Sequence, residues 1–333
     1  MVSRGRTHVA HMRQATDRLD DTIFSSSPSM TTAFATLFEL AVALQSEPRH
    51  AHLTHHHDQD TDAVRSRLQN AILQDVMPGE AITTHWQRLR IFCFNHINRA
   101  QPAVQASSLQ EILLNIEKNH KSEADRIHAL ANVQADQLQG ARPQEFVQSL
   151  ARILDPLPKA ALEHMNYLDW LDTRWTHWSQ QPVQNLSVDE LLKDLDVLSK
   201  NPDTKILGMG LPLAANFMAD IGLGAFAKPD LHVTPIVSLL QLSIERRDEE
   251  RHAFSGLIKI AQFEDRILRN DARFAWMQQV GGLKPRFLDR LIYLIGSDNF
   301  NLDGVKSKRQ APNRRHLMRQ VLLQGGLLDG RYC

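Results

Sequence analysis

Cysteine is nearly missing from this chain: Cys93 and Cys333 are the only two in 333 residues. Two distant cysteines exclude a four-cysteine zinc or iron–sulfur site and argue against a disulfide scaffold, so a reducing, cytoplasmic setting is expected. Net charge is missing too, because 38 basic side chains face 38 acidic ones. The overall balance therefore neither favours nor disfavours nucleic acid as a partner. No apolar run approaches the roughly 20 residues that a membrane span needs. Residues 1–30 contain Arg and His but no apolar stretch of signal-peptide length. Strand-like alternation is scarce, and no segment repeats at a fixed period.

What is present is helical periodicity. It predicts helices over 30–46, 61–76, 82–99, 107–138, 143–153 and 157–179. The fourth of these regions, 107–138, places Leu109, Ile112, Leu113 and Ile116 at i, i+3, i+4 and i+7, which marks a buried face. Ser187-Val-Asp-Glu190 has the spacing of a capping box and precedes Leu191, Leu192, Leu195 and Leu198. That helix ends near Asn201-Pro202, and further helices are expected over 211–221, 233–245, 248–269, 271–279, 284–295 and 312–323. The fold class expected is all-α. Charge is unevenly spread: Lys284 to Cys333 holds ten Lys/Arg against four Asp, which points to a basic face or a solvated helix surface near the C-terminus.

The chemistry-bearing segment is Ile206-Leu-Gly-Met-Gly-Leu-Pro-Leu-Ala-Ala-Asn216, followed twenty residues after Gly210 by the box that contains Asp230. Gly208 and Gly210 flank Met209, so the backbone can turn tightly and approach a ligand with no Cβ in the way. A helix begins immediately afterwards, and its orphan N–H groups and positive dipole end favour an anion such as a DNA phosphate. Asp230 precedes the next helix, where a carboxylate can cap N–H groups. A cap and a catalytic carboxylate are both open readings of it, and capping would fix its orientation.

These residues resemble the helix-hairpin-helix DNA glycosylases, whose signature is Leu-Pro-Gly-x-Gly-x-x-x-Ala and then, about twenty residues on, Val/Pro-Asp-x-His-Val. Ile206-Leu207-Gly208-Met209-Gly210 matches the hairpin, Ala214 the small residue, and Pro229-Asp230-Leu231-His232-Val233 the aspartate box. The resemblance implies a helix-hairpin-helix glycosylase-like core over 105–300. An extra N-terminal helical region with a His-rich polar loop would occupy 1–104, and a basic C-terminal segment over 301–333 would pack on the core. It implies that Gly208, Met209 and Gly210 lie against the DNA backbone. Carbonyls around Ile206 and Met209 would hold a structural monovalent cation, with no other cofactor. Asp230 would be the catalytic carboxylate, acting on a base extruded from the duplex.

Bifunctional members of that family carry a nucleophilic Lys two residues after the second hairpin glycine; here the position is Pro212, which has no amine. The expected enzyme is therefore a monofunctional glycosylase that leaves an abasic site. Its substrate would be a damaged base in repair, or a modified phage base in defence, as in divergent prokaryotic branches of the family. DNA is the expected partner, with no membrane and no obligate protein partner.

Other features carry competing expectations. Trp170 and Trp178 are candidate walls of the base pocket, with core packing as the plainer reading. Lys228, Lys284 and Arg286 are candidate phosphate contacts, as are Arg290, Lys306, Lys308, Arg309, Arg314 and Arg315. The five His between His50 and His57 read as an exposed polar loop and not as a metal site. Two Glu-x-x-His runs, Glu117–His120 and Glu249–His252, have di-metal spacing but charged neighbours. The alternatives to a glycosylase are a non-catalytic DNA-binding protein that uses Asp230 only as a cap, and a metal-dependent helical oxidase.

Overall fold

An apolar helix from the N-terminal part of the chain sits among the last helices of the sequence. The fold is that of a computed structural model, which describes residues 32–47, 60–74, 82, 84–97, 104–138, 143–154, 166–179, 181–241, 248–296 and 315–328. Helix α1 (Ala33–Ser46) has a Thr32 cap and is buried along nearly its whole surface. It packs against α2 (Thr61–Gln74), α12 (Pro285–Gly296) and α13 (Arg315–Gln324). Glu264, itself fully buried, accepts from the N–H groups of Ala33 and Phe34, so a carboxylate from a distant helix meets the positive end of α1.

A second group of helices follows. α3 (His85–Ile97), α4 (Val104–Asn119), α5 (Glu123–Ala131), α6 (Pro143–Leu154) and α7 (Tyr167–Ser179) pack in succession. Leu109, Leu113 and Ile116 are buried, as their spacing predicts. The single helix expected over 107–138 is broken, however. Ser122 accepts from the Asp125 N–H and starts α5 afresh, and Ala135–Gln137 is a short 3₁₀ turn.

α8 (Val188–Ser199) begins at Ser187, whose hydroxyl accepts from the Glu190 N–H as expected. α9 (Leu211–Asp220) packs on α8, and Phe217 meets Phe92 of α3 edge-on at 5.9 Å. α10 (Val233–Leu240) and α11 (Glu249–Leu268) cross closely, with Gly256 at the contact. Ala272–Val280 is a run of 3₁₀ turns where an α-helix was expected, and it closes at Gly281 with φ 79°. α12 lies where a helix was expected over 284–295, and it is buried on almost every side.

The described residues are thus helical with no β-strand, which establishes the all-α class. Helices on either side of residue 104 touch, as α3 and α9 do, and α13 rests on α1, α10 and α12. No helix among the described residues is long and apolar enough to cross a membrane.

Candidate functional site

The hairpin between α8 and α9 is a β-turn closed by the Met209 N–H donating to the Ile206 carbonyl at 3.1 Å. Gly208 occupies the third position with φ 74°, which a type II turn requires and an L side chain resists. The sequence Ile206-Leu207-Gly208-Met209 folds this way because its first and last side chains are buried, while Leu207 at the tip is exposed. The Ile206 N–H donates to the Leu198 carbonyl and ties the turn to the end of α8. Ser149 of α6 donates to the Leu207 carbonyl at 2.8 Å and braces the other side.

Three N–H groups then remain. Those of Gly208, Gly210 and Leu211 have no acceptor among the described residues. Pro212 at the second helical position has no N–H to satisfy, and its fixed φ suits a helix start. Gly210 itself is extended, with φ −83° and ψ 172°. A Cβ there would have only Pro212 Cδ nearby, at 3.9 Å. The candidate backbone-binding set is therefore Gly208, Gly210 and Leu211. The Met209 N–H is consumed by the turn and its side chain by the core, so Met209 supports the loop and offers it nothing to bind with. Leu211 was missed at the sequence level, although the first residue of any helix carries an orphan donor.

α9 ends in a Schellman motif: Gly222, with φ 99°, and Leu223 donate to the carbonyls of Ala219 and Met218. The loop then runs to Asp230. Asp230 Oδ1 accepts from the N–H groups of His232 at 2.8 Å and Val233 at 3.1 Å, an Asx turn that caps α10. Its other oxygen lies 3.7 Å from Lys228 Nζ, and the side chain is 11% exposed. One oxygen is thus fixed by the backbone, and the other lies beside the Lys228 cation. His232 stands edge-on to Tyr293, with ring centroids 5.6 Å apart.

Behind the loop lies a polar network at the start of α12. Asp289 is buried (2% exposed) and accepts from the Lys228 N–H and from Arg286 Nη1, both at 2.8 Å. Arg286 Nη2 pairs with Asp220 of α9 at 2.6 Å, its Nη1 reaches Asn216 Oδ1 at 3.2 Å, and its N–H donates to the Gly224 carbonyl. Asn216 and Asn95 of α3 both donate to Asp220, and Asn216 also donates to Asn95. Burial pushes the Asp289 carboxyl above its usual range. Arg286 and the Lys228 N–H pull against that rise, and the Asp230 charge adds to it. The direction is the one expected when a single guanidinium is shared between two carboxylates away from water.

Several expected roles change on this view. Arg286 is a buried member of the network and not a phosphate contact: its guanidinium is turned inward onto Asp220 and Asp289. Trp170 and Trp178, 2% and 3% exposed, are core residues. The Trp178 indole donates to Asp194 at 2.6 Å and packs edge-on to Phe226 of the Asp230 loop, so it supports the site from beneath. Lys228 remains half-buried next to Asp230. Lys284 is half-buried, and desolvation pushes its amine down. Lys306, Lys308, Arg309, Arg314, His50 to His57 and the Arg315 side chain lie outside the described residues.

The Glu-x-x-His runs do not converge. Glu117 accepts from the Trp86 indole and from Arg90, a structural role, and His252 is exposed on α11. Among the described residues the one grouping with metal-ligand geometry is His85, Asp169 and Asp172. Its Asp172 already accepts from His85 at 2.6 Å and from Arg88. Burial works to raise the Asp172 carboxyl, but those two bonds hold it below its usual range. The Arg88 guanidinium supplies the positive charge there.

Comparison of the chain with family models, with curated proteins and with solved structures returns no match.

Proposed function

We propose that this protein is a monofunctional DNA glycosylase of helix-hairpin-helix type, which hydrolyses the N-glycosidic bond of a damaged or modified base flipped out of DNA. One observation carries the reading. A turn with three unsatisfied amides at a helix start is joined through that helix to an aspartate whose one oxygen is held by two N–H groups while the other is left to act. Donors without acceptors at a helix N-terminus fit a phosphate, and a preoriented carboxylate fits charge that develops in a transition state.

A DNA phosphate would accept from Gly208, Gly210 and Leu211, with the hairpin glycines allowing its close approach. A monovalent cation fits the hairpin through main-chain oxygens, because the Ile206 carbonyl uses only one of its two lone pairs within the turn. Asp230 Oδ2 would stabilise positive charge on the deoxyribose as the C1′–N bond breaks, or take a proton from the water that adds to C1′. The base leaves with a proton and the DNA keeps an abasic site. Pro212 gives no amine at the position where bifunctional relatives in that family place one, so water is the nucleophile. The substrate class is a damaged base in repair or a modified phage base in defence.

The test is base release from a panel of modified-base DNAs by wild type and by Asp230→Asn. Loss of release in the variant, by 10²-fold or more on the scale of a removed electrostatic group, is expected while DNA binding persists. Equal release by both proteins would remove the catalytic role from Asp230, whereas DNA binding with release by neither would favour a non-catalytic DNA-binding module, a reading consistent with the complete Asx cap that Asp230 makes.

A further inference from the structure

We propose that Asp289, oriented by Arg286, is the positioning residue for Asp230, and that this pair couples the hairpin helix to the reacting carboxylate. The inference rests on the glycosylase reading of Asp230 and concerns how that group is held. The loop between α9 and α10 has to deliver Asp230 in one place, yet its residues from Gly222 to Pro229 form no regular element. What holds it is the first turn of α12. The Arg286 N–H takes the Gly224 carbonyl near the beginning of the loop, and Asp289 takes the Lys228 N–H two residues before Asp230.

The same guanidinium that braces Asp289 is bonded to Asp220 and Asn216 on α9, the helix whose start carries the unsatisfied amides. A phosphate seated at the hairpin and a base at Asp230 are thus referred to one buried ion pair. Asn95 extends the bracing to α3. Nothing in this set touches the reacting atoms, and none of it could be found from the hairpin and aspartate motifs. Asp289 lies one turn into α12, where no motif marks it. Displacing a reacting group by about 1 Å costs on the order of 10²-fold in rate, so a modest slackening of the loop has a measurable consequence.

Three proteins decide the matter: wild type, Asp289→Ala, which removes the acceptor, and Asp289→Asn, which keeps an oxygen for the Lys228 N–H. On a DNA from which wild type releases base, Asp289→Ala is expected to lose kcat by about tenfold to 10²-fold with the Kd for that DNA unchanged. Asp289→Asn should recover most of the loss. An unchanged kcat in Asp289→Ala overturns the proposal. So does a fall of kcat and DNA affinity together with no recovery in Asp289→Asn, which is the pattern of general unfolding. If wild type releases no base from any DNA, the glycosylase reading fails on its own. The positioning claim is then read from amide hydrogen exchange at His232 and Val233, the donors to Asp230. Faster exchange there in Asp289→Ala, with the amides of α8 unaltered, supports it, and unaltered exchange at His232 and Val233 overturns it.

Discussion

Two glycines on either side of Met209 have opposite physical requirements. Gly208 has φ 74°, so Gly208→Ala forces an L side chain into the left-handed region at about 1–2 kcal/mol. A lower Tm is expected from thermal unfolding. Gly210 has an ordinary extended backbone and open space where a Cβ would go, so Gly210→Ala should leave Tm unchanged. If DNA approaches the hairpin closely, Gly210→Ala weakens binding all the same, and fluorescence anisotropy with a short duplex would measure it. Asp289 gives a pH signature. Its carboxyl titrates above the usual range in the folded protein, so the native state takes up a proton before the unfolded chain does. The stability linked to Asp289 is therefore complete below about pH 4 and is lost as the pH rises through the raised value. The Tm difference between wild type and Asp289→Asn should move against wild type over that interval, and a flat difference would contradict the assignment. Gly208 and Asp230 were legible in the sequence because turn and cap are made by neighbours two or three residues away. Arg286 and Asp289 were not, since their partners lie 61, 66 and 70 residues distant.

At the scale of elements, helix positions followed from the spacing of apolar residues and from caps. Ser187 starts α8 as its sequence predicts, whereas the Ser122 cap falls inside the single helix expected over 107–138 and the break before α5 went unseen. The hydrophobic period lapses across that break, because Ala124 is the one apolar residue between Ile116 and Ile127, and Ser122 with Asp125 three residues on was a second available signal. Packing between elements is less readable still. At the crossing of α10 and α11, a Cβ on Gly256 would fall 2.4 Å from both Val237 Cγ1 and Gln241 Oε1. Gly256→Ala therefore has to push the helices apart, at about 1–3 kcal/mol for overpacking, despite the better helix propensity of alanine. Urea unfolding of that variant should show a lower midpoint. An increase would mean that the helices are not in contact there.

For the whole molecule, the sequence specified the all-α class and the length available for a large core, but not the order in which helices meet. Glu264 makes this concrete. It reaches from α11 to cap α1 across 231 residues of sequence, within a core where water cannot replace it. Glu264→Ala removes that acceptor from the Ala33 and Phe34 N–H groups, at about 1–3 kcal/mol for a lost buried hydrogen-bond partner. Chemical denaturation should report a loss of that order in the cooperative transition. If α1 were a detachable appendage, its amide exchange would instead change alone. DNA affinity also belongs to this scale. If the hairpin and Lys228 engage phosphates as proposed, log Kd should rise with log salt concentration, whereas an interaction confined to the flipped base would be nearly independent of salt.

The seat of α1 bears on how the protein is made. Residues 33–46 are made well before two of the three helices that cover them: α2 follows directly, but the other two surfaces belong to residues 285–296 and 315–324. During synthesis an almost wholly apolar helix waits for most of the chain to follow, a non-local closure that is slow and exposed to aggregation. Nascent chains stalled before residue 285 should stay sensitive to protease at α1 and bind chaperones that hold apolar segments. Protection should appear only once the α12 segment has emerged.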